Sequence, residues 1–91
     1  MVRKEVFLMN RKKVIVGLYE HGPIDEGSLS EKIKVSPSSV RKYIKEMDDE
    51  NVIDSSRILN KNSKRVWMYS LKPECKEEGV DSVFDRIYKA R

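Results

Sequence analysis

The sequence predicts a mainly helical α+β domain: a three-helix core, a β-hairpin and an extra C-terminal helix. Three observations carry this. Apolar residues recur at helical spacing between Val14 and Met47. Side chains alternate from Lys64 to Leu71 behind a polar turn. A five-residue apolar stripe, Val80, Val83, Phe84, Ile87 and Tyr88, lies near the C-terminus. Ninety-one residues make one domain. Residues 1–9 read as an N-terminal extension, 10–73 as the main domain and 74–91 as a C-terminal amphipathic helix.

The first helix is expected from Asn10, as cap, to Glu20, with Val14, Ile15, Leu18 and Tyr19 at helical spacing. Arg11, Lys12 and Lys13 would then oppose the helix dipole in its first turn. The helix therefore starts earlier, within Val2 to Met9, or that segment is a strand. Gly22 and Pro23 end it. Ser28 and Glu31 form a capping box for a second helix, with Leu29 and Ile33 buried, that ends near Lys34. Val35 is a core residue in the turn. Ser36 and Pro37 open a third helix as cap and first residue. Val40, Ile44 and Met47 form its stripe, with Tyr43 beside them, and Asn51 suits a left-handed close. Val52 and Ile53 return to the core. Arg57 to Asn60 and Lys64 to Leu71 are expected strands, joined through Asn60, Lys61, Asn62 and Ser63. Pro73 ends the pair. A last helix begins at Asp81 or Ser82.

Charge is sorted by segment. The chain carries a net charge of +4, a balance that favours polyanionic partners. Arg57, Lys61, Lys64, Arg65 and Lys72 occupy residues 57–72 without an acid. Glu46, Asp48, Asp49 and Glu50 occupy residues 46–50 without a base.

Helix, helix, tight turn, helix and hairpin succeed one another from Gly22 to Leu71. This stretch resembles the winged helix-turn-helix domain of small bacterial and archaeal transcription regulators of the MarR and ArsR kind. Gly22, Pro23 and Ile24 look like the short first-strand entry. Ser28 to Ile33 looks like the second helix, and Val35 to Lys42 like the turn and recognition-helix start. Ile44, Met47, Asp48, Val52 and Ile53 fall where the pattern wants Leu, Leu, acid, Leu and Ile. Asn51 replaces the usual Gly and tolerates the same backbone. The long helices of full MarR proteins are missing, so no small-molecule ligand is implied.

The resemblance implies sequence-specific binding of double-stranded DNA to regulate transcription. With Val40, Ile44 and Met47 turned inward, Ser36, Ser38, Ser39, Arg41, Lys42 and Lys45 are the candidate recognition-helix contacts. The acids at 46–50 fall at the far end of that helix. Arg57, Lys61, Asn62, Lys64 and Arg65 are the candidate wing contacts, on the backbone or in the minor groove. Arg11, Lys12 and Lys13 are either phosphate contacts or plain surface charge. Trp67 and Tyr69 share a strand face. They are expected to pack the hairpin on the helices; the alternative is a stacking platform for single strands or RNA. The other reading of the whole domain is a protein-interaction scaffold.

The C-terminal stripe is expected to bury itself in a two-fold homodimer, with Val80, Val83, Phe84, Ile87 and Tyr88 as contacts, joined by Val6 to Met9. No enzyme is expected: the sequence holds no phosphate-binding glycine loop and no nucleophile beside its single histidine, His21. No metal or cofactor is expected, because Cys75 is the single cysteine. No run approaches the roughly 20 apolar residues of a membrane span, and Val6 to Met9 is too short for a signal peptide. A cytoplasmic protein follows as the expectation.

Overall fold

The computed structural model describes residues 3–59 and 61–89, with the side chains of 8–59 and 61–88. Asn60, expected in the turn, and the Val6 and Phe7 side chains, expected at a dimer contact, lie outside the described residues. Helices α1 (Arg3–His21), α2 (Glu26–Ile33) and α3 (Pro37–Asp49) precede strands β1 (Ile53–Leu59) and β2 (Arg65–Leu71). Two short helices follow, α4 (Pro73–Glu78) and α5 (Val80–Phe84), the latter running into a π-helical turn at Asp85–Lys89.

Helix α1 is continuous from Arg3, so Asn10 lies inside it and caps nothing. Its inward stripe is Leu8, Arg11, Val14, Ile15 and Leu18. Val14, Ile15 and Leu18 are fully buried, and Leu8 packs on the core. A cation in the middle of this stripe hid the helix's first half from the apolar pattern. Tyr19, expected on the stripe, is instead exposed. Gly17 is where α2 comes close: a Cβ there would stand 2.5 Å from Leu29 Cδ1 and 2.9 Å from Ile33 Cγ2.

Helix α2 starts before the expected cap. Asp25 is the N-cap, accepting from Ser28 N–H at 3.2 Å. Hydrogen bonding from the Ser28 hydroxyl, seconded by the Ser28 N–H, holds the Asp25 carboxyl below its ordinary range. Ser28 therefore sits in the first turn, and Glu26 adds an acid favoured by the dipole. The helix closes at Lys34 in a left-handed conformation. Ser30, buried, donates its hydroxyl to the Val35 carbonyl at 2.5 Å, which fixes the tight turn into α3. Val35 is in the core, as expected. Helix α3 opens as the sequence predicts: Ser36 accepts from Ser39 N–H at 3.4 Å, and Pro37 takes the first position. Val40, Tyr43, Ile44 and Met47 are all buried. Asn51 closes the helix at φ 59°.

The strands pair antiparallel from Ile53 opposite Leu71 to Leu59 opposite Arg65. Strand β1 begins four residues before its expected start at Arg57. Only Ile53 of it is buried, so ladder hydrogen bonds, not an apolar face, define its extent. On its other edge β2 bridges Ile24: each residue's N–H donates to the other's carbonyl, Ile24 to Tyr69 and Tyr69 to Ile24, at 2.9 Å. Pro73 ends β2 as expected and also starts α4, which the sequence reading missed; its fixed φ suits a first helical residue. Gly79, at φ 97°, separates α4 from α5. The last helix starts at Val80, ahead of the expected Asp81 or Ser82.

The expected dimer stripe is largely consumed by this packing. Val83, Phe84 and Ile87 are buried in the same core as α1 and α3, with Val80 and Tyr88 partly buried against it. Its apolar periodicity therefore needs no second chain to account for it.

Candidate nucleic-acid interface

Helix α3 has two faces of opposite character. The inner face is fully apolar apart from the Tyr43 hydroxyl. The outer face exposes Ser38, Arg41, Lys42 and Lys45, with Ser39 half-buried and Ser36 at the cap. Ser36 donates its hydroxyl to Ser39 Oγ at 2.9 Å, so the two hydroxyls define the N-terminal end of the helix. That end carries partial positive charge from the dipole and no acidic side chain in its first turn.

The acids at the far end divide. Glu46 turns towards α1, where Arg11 Nε donates to Oε1 at 2.8 Å and Nη2 to Oε2 at 3.0 Å. Tyr88 hydroxyl donates to the same Oε1 at 3.2 Å. The Arg11 guanidinium lies 4.6 Å from the Tyr43 ring centroid and 5.6 Å from that of Tyr88. Its side chain is only 14% exposed, so Arg11 serves α1–α3 packing and has little surface to offer a phosphate. The bond to Arg11 holds the Glu46 carboxyl below its ordinary range and raises the Arg11 guanidinium. Burial raises the Tyr88 hydroxyl. Lys12 pairs with Asp81 at 2.8 Å. Asp48, at the far end of the helix as expected, lines the cleft between α3 and the hairpin.

That cleft, about 300 Å³, is lined by Glu26, Arg41, Ile44, Lys45, Asp48, Ser55, Trp67 and Tyr69. Glu26 approaches Arg41 at 3.5 Å. Tyr69 is half-buried, and that burial raises its hydroxyl above the ordinary range. Trp67 is 47% exposed. Of the two aromatics expected to pack the hairpin on the helices, Tyr69 does so and Trp67 does not. Cation–π contact sets Arg57 5.2 Å from the Trp67 ring, a pairing not anticipated from the sequence.

Lys61, Asn62, Lys64 and Arg65 are all exposed at the hairpin tip, with Ser63 left-handed at φ 59°. Strand register puts Arg65 on the same face as Arg57 and Trp67. Of the candidate residues only Arg41 and Lys45 line the cleft, facing Trp67 across it; the hairpin wall is Ser55, Trp67 and Tyr69, and none of the wing candidates is part of it. Cys75 is buried, and Arg86 Nη2 donates to its Sγ at 3.3 Å. Among the described residues, no three His, Cys, Asp or Glu side chains are grouped to hold a metal ion. Nor is any helix among them long and apolar enough to cross a membrane.

The sequence matches no family model and no curated protein. Solved structures match its fold. A zinc-responsive MarR family member, ZitR of Lactococcus lactis, is 22% identical at TM-score 0.57, over 88% of this chain and 50% of that one. The YusO protein of Bacillus subtilis is 27% identical at TM-score 0.60, over 88% and 57%. A possible transcriptional regulator from Methanosarcina mazei is 17% identical at TM-score 0.58, over 91% and 66%. The chain therefore spans about half to two-thirds of the length of these structures. Its fold is the mainly helical winged helix-turn-helix of such regulators, with α2 and α3 as the helix-turn-helix and β1–β2 as the wing.

Proposed function

We propose that the protein is a sequence-specific double-stranded DNA-binding regulator of transcription and not an enzyme. Helix α3 enters the major groove, and the basic hairpin tip reaches the backbone or minor groove. The observation that carries this is the outer face of α3: Ser38, Arg41, Lys42 and Lys45 are exposed while the opposite face is buried. Arg41, Lys42 and Lys45 reach base edges or phosphates. Arg57, Lys61, Asn62, Lys64 and Arg65 supply sequence-independent contacts. A protein-interaction scaffold would instead want apolar side chains on the outer face of α3. A site of action inside the cell belongs to the same proposal.

A homodimer on a two-fold site is also part of it. The support is that a small domain gains from association, and that a two-fold pair would present two α3 helices to successive turns of a duplex. The buried stripe adds nothing to that support. Titration of labelled duplex at several salt concentrations, with selection from random duplexes, tests the proposal. Affinity falling steeply with salt and a recovered consensus are expected. A flat salt response or no consensus would remove it. Measuring the complex's mass in the same buffer tests the dimer.

A further inference from the structure

The hairpin exposes two large apolar side chains, Leu59 and Trp67, on one face, and Ile58 on the other. Apolar surface concentrated on one element marks an interaction site. The cross-strand partner of Trp67 is Arg57; one step towards the tip on the same face, Leu59 faces Arg65. Cation and apolar group therefore alternate along each strand and across the pair. Arg41 and Lys45 stand on the other wall of the cleft. Two carboxylates share it, Glu26, which Arg41 engages, and Asp48. Inside the cleft two cations balance two acids; Arg57 and Arg65, beside it on the same hairpin face, tip the balance to positive.

A nucleic-acid backbone has the complementary alternation of anionic phosphate and apolar sugar. We propose that the cleft and the inner hairpin face seat the sugar–phosphate backbone of one strand of a DNA duplex. The Trp67 indole packs on a deoxyribose, and Arg57 and Arg65 take the flanking phosphates. Arg57 already covers one face of the indole, so the ligand meets its other face and edge. The inference rests on the DNA-binding reading and adds an apolar contact that is independent of sequence.

Trp67 is the chain's one tryptophan, so intrinsic emission reports on this site alone. The full chain is titrated with duplexes of about two helical turns and with single strands of the same length. Trp67→Ala and Trp67→Phe are measured beside it. Emission should change saturably with duplex. Trp67→Ala should bind every duplex about tenfold more weakly, at unchanged slope of log K against log salt, because no cation is lost. Trp67→Phe should recover most of the affinity. Trp67→Ala should keep the wild-type melting temperature, since the side chain is half exposed. Salt-dependent duplex binding with full affinity in Trp67→Ala would overturn the seat and leave the regulator reading standing. Single strands outcompeting duplex would assign the indole to base stacking and overturn it too. No duplex binding by the wild type would remove both.

Discussion

Arg11 grips Glu46 through two hydrogen bonds, of 2.8 and 3.0 Å, between the middle of α1 and the outer half of α3. Two tyrosine rings flank the guanidinium, and Tyr88 completes the set from the C-terminal turn. Glu46 thus ties α3 to α1 through the ion pair and to the C-terminal turn through the Tyr88 hydroxyl. Removing one partner leaves a desolvated charge behind. Arg11→Ala is expected to lower unfolding stability by about 2–3 kcal/mol, read as a fall in the urea midpoint. Arg11→Lys should recover only part of it, because a point charge cannot bond both carboxylate oxygens.

The same pair sets an acid response. Glu46 titrates below its ordinary range in the folded chain because Arg11 hydrogen-bonds its charged form. A depressed carboxylate contributes stability that is complete above the unfolded-state pKa. That contribution is lost as pH falls through the folded one. The stability difference between wild type and Glu46→Gln should therefore be constant near neutrality and shrink below about pH 4. A difference that stayed constant down to acid unfolding would show that Glu46 is not the responding group.

Phe84 separates core packing from dimerisation. It is 7% exposed within a single chain. Phe84→Ala should cost about 3–5 kcal/mol, by an amount that does not depend on protein concentration. A melting temperature that rose with concentration in the wild type and not in the variant would instead place Phe84 between subunits.

Gly17 tests the approach of α1 to α2. The space for a Cβ is taken by Leu29 and Ile33, and Leu29 is fully buried. Gly17→Val should destabilise by about 1–3 kcal/mol through overpacking, despite replacing a poor helix former. Chemical denaturation checks the sign.

On DNA the two basic elements should behave differently. Arg41→Ala is expected to cost about 1–3 kcal/mol at its preferred site and to relax specificity there. Lys61→Ala should weaken all duplexes alike and reduce the salt slope by about 1. Competition between selected and random duplexes separates the two behaviours.

What could be read from the sequence follows the chemistry of each element. Helix α3 was legible because Ser36 and Pro37 mark its start and three apolar residues one turn apart mark its core face. The start of α1 was ambiguous because Arg11 sits on the inward stripe, where distant partners, Glu46 with the Tyr43 and Tyr88 rings, make a cation tolerable. Strand β1 was read short because Asp54, Ser55 and Ser56 carry no buried face. Its residues are specified by pairing with β2, which local pattern does not encode. Helix α4 was missed because Pro73 reads equally as a stop and a start. Charge sorting picks out the basic hairpin candidates, whereas Arg41, Lys42 and Lys45 are named because the apolar stripe of α3 turns them outward. Trp67 was seen but turned the wrong way, since aromatics on a strand face are more often covered than left in water. The C-terminal stripe was correctly located, and its periodicity could not say which surface it meets.

The bridge between Ile24 and Tyr69 has a mechanical consequence. Tyr69 is the root of the wing, and Ile24 lies at the entry to the helix-turn-helix. Backbone bonds in both directions therefore clamp the wing's base to the same joint from which α2 and α3 depart. In mechanical terms the hairpin is a cantilever, held near its base by this clamp and by the Ile53–Leu71 end of the ladder, with its tip the free end. The angle between the hairpin and α3 is thus set during folding, so a partner bound across the two would meet a surface already oriented, with little freedom left to surrender.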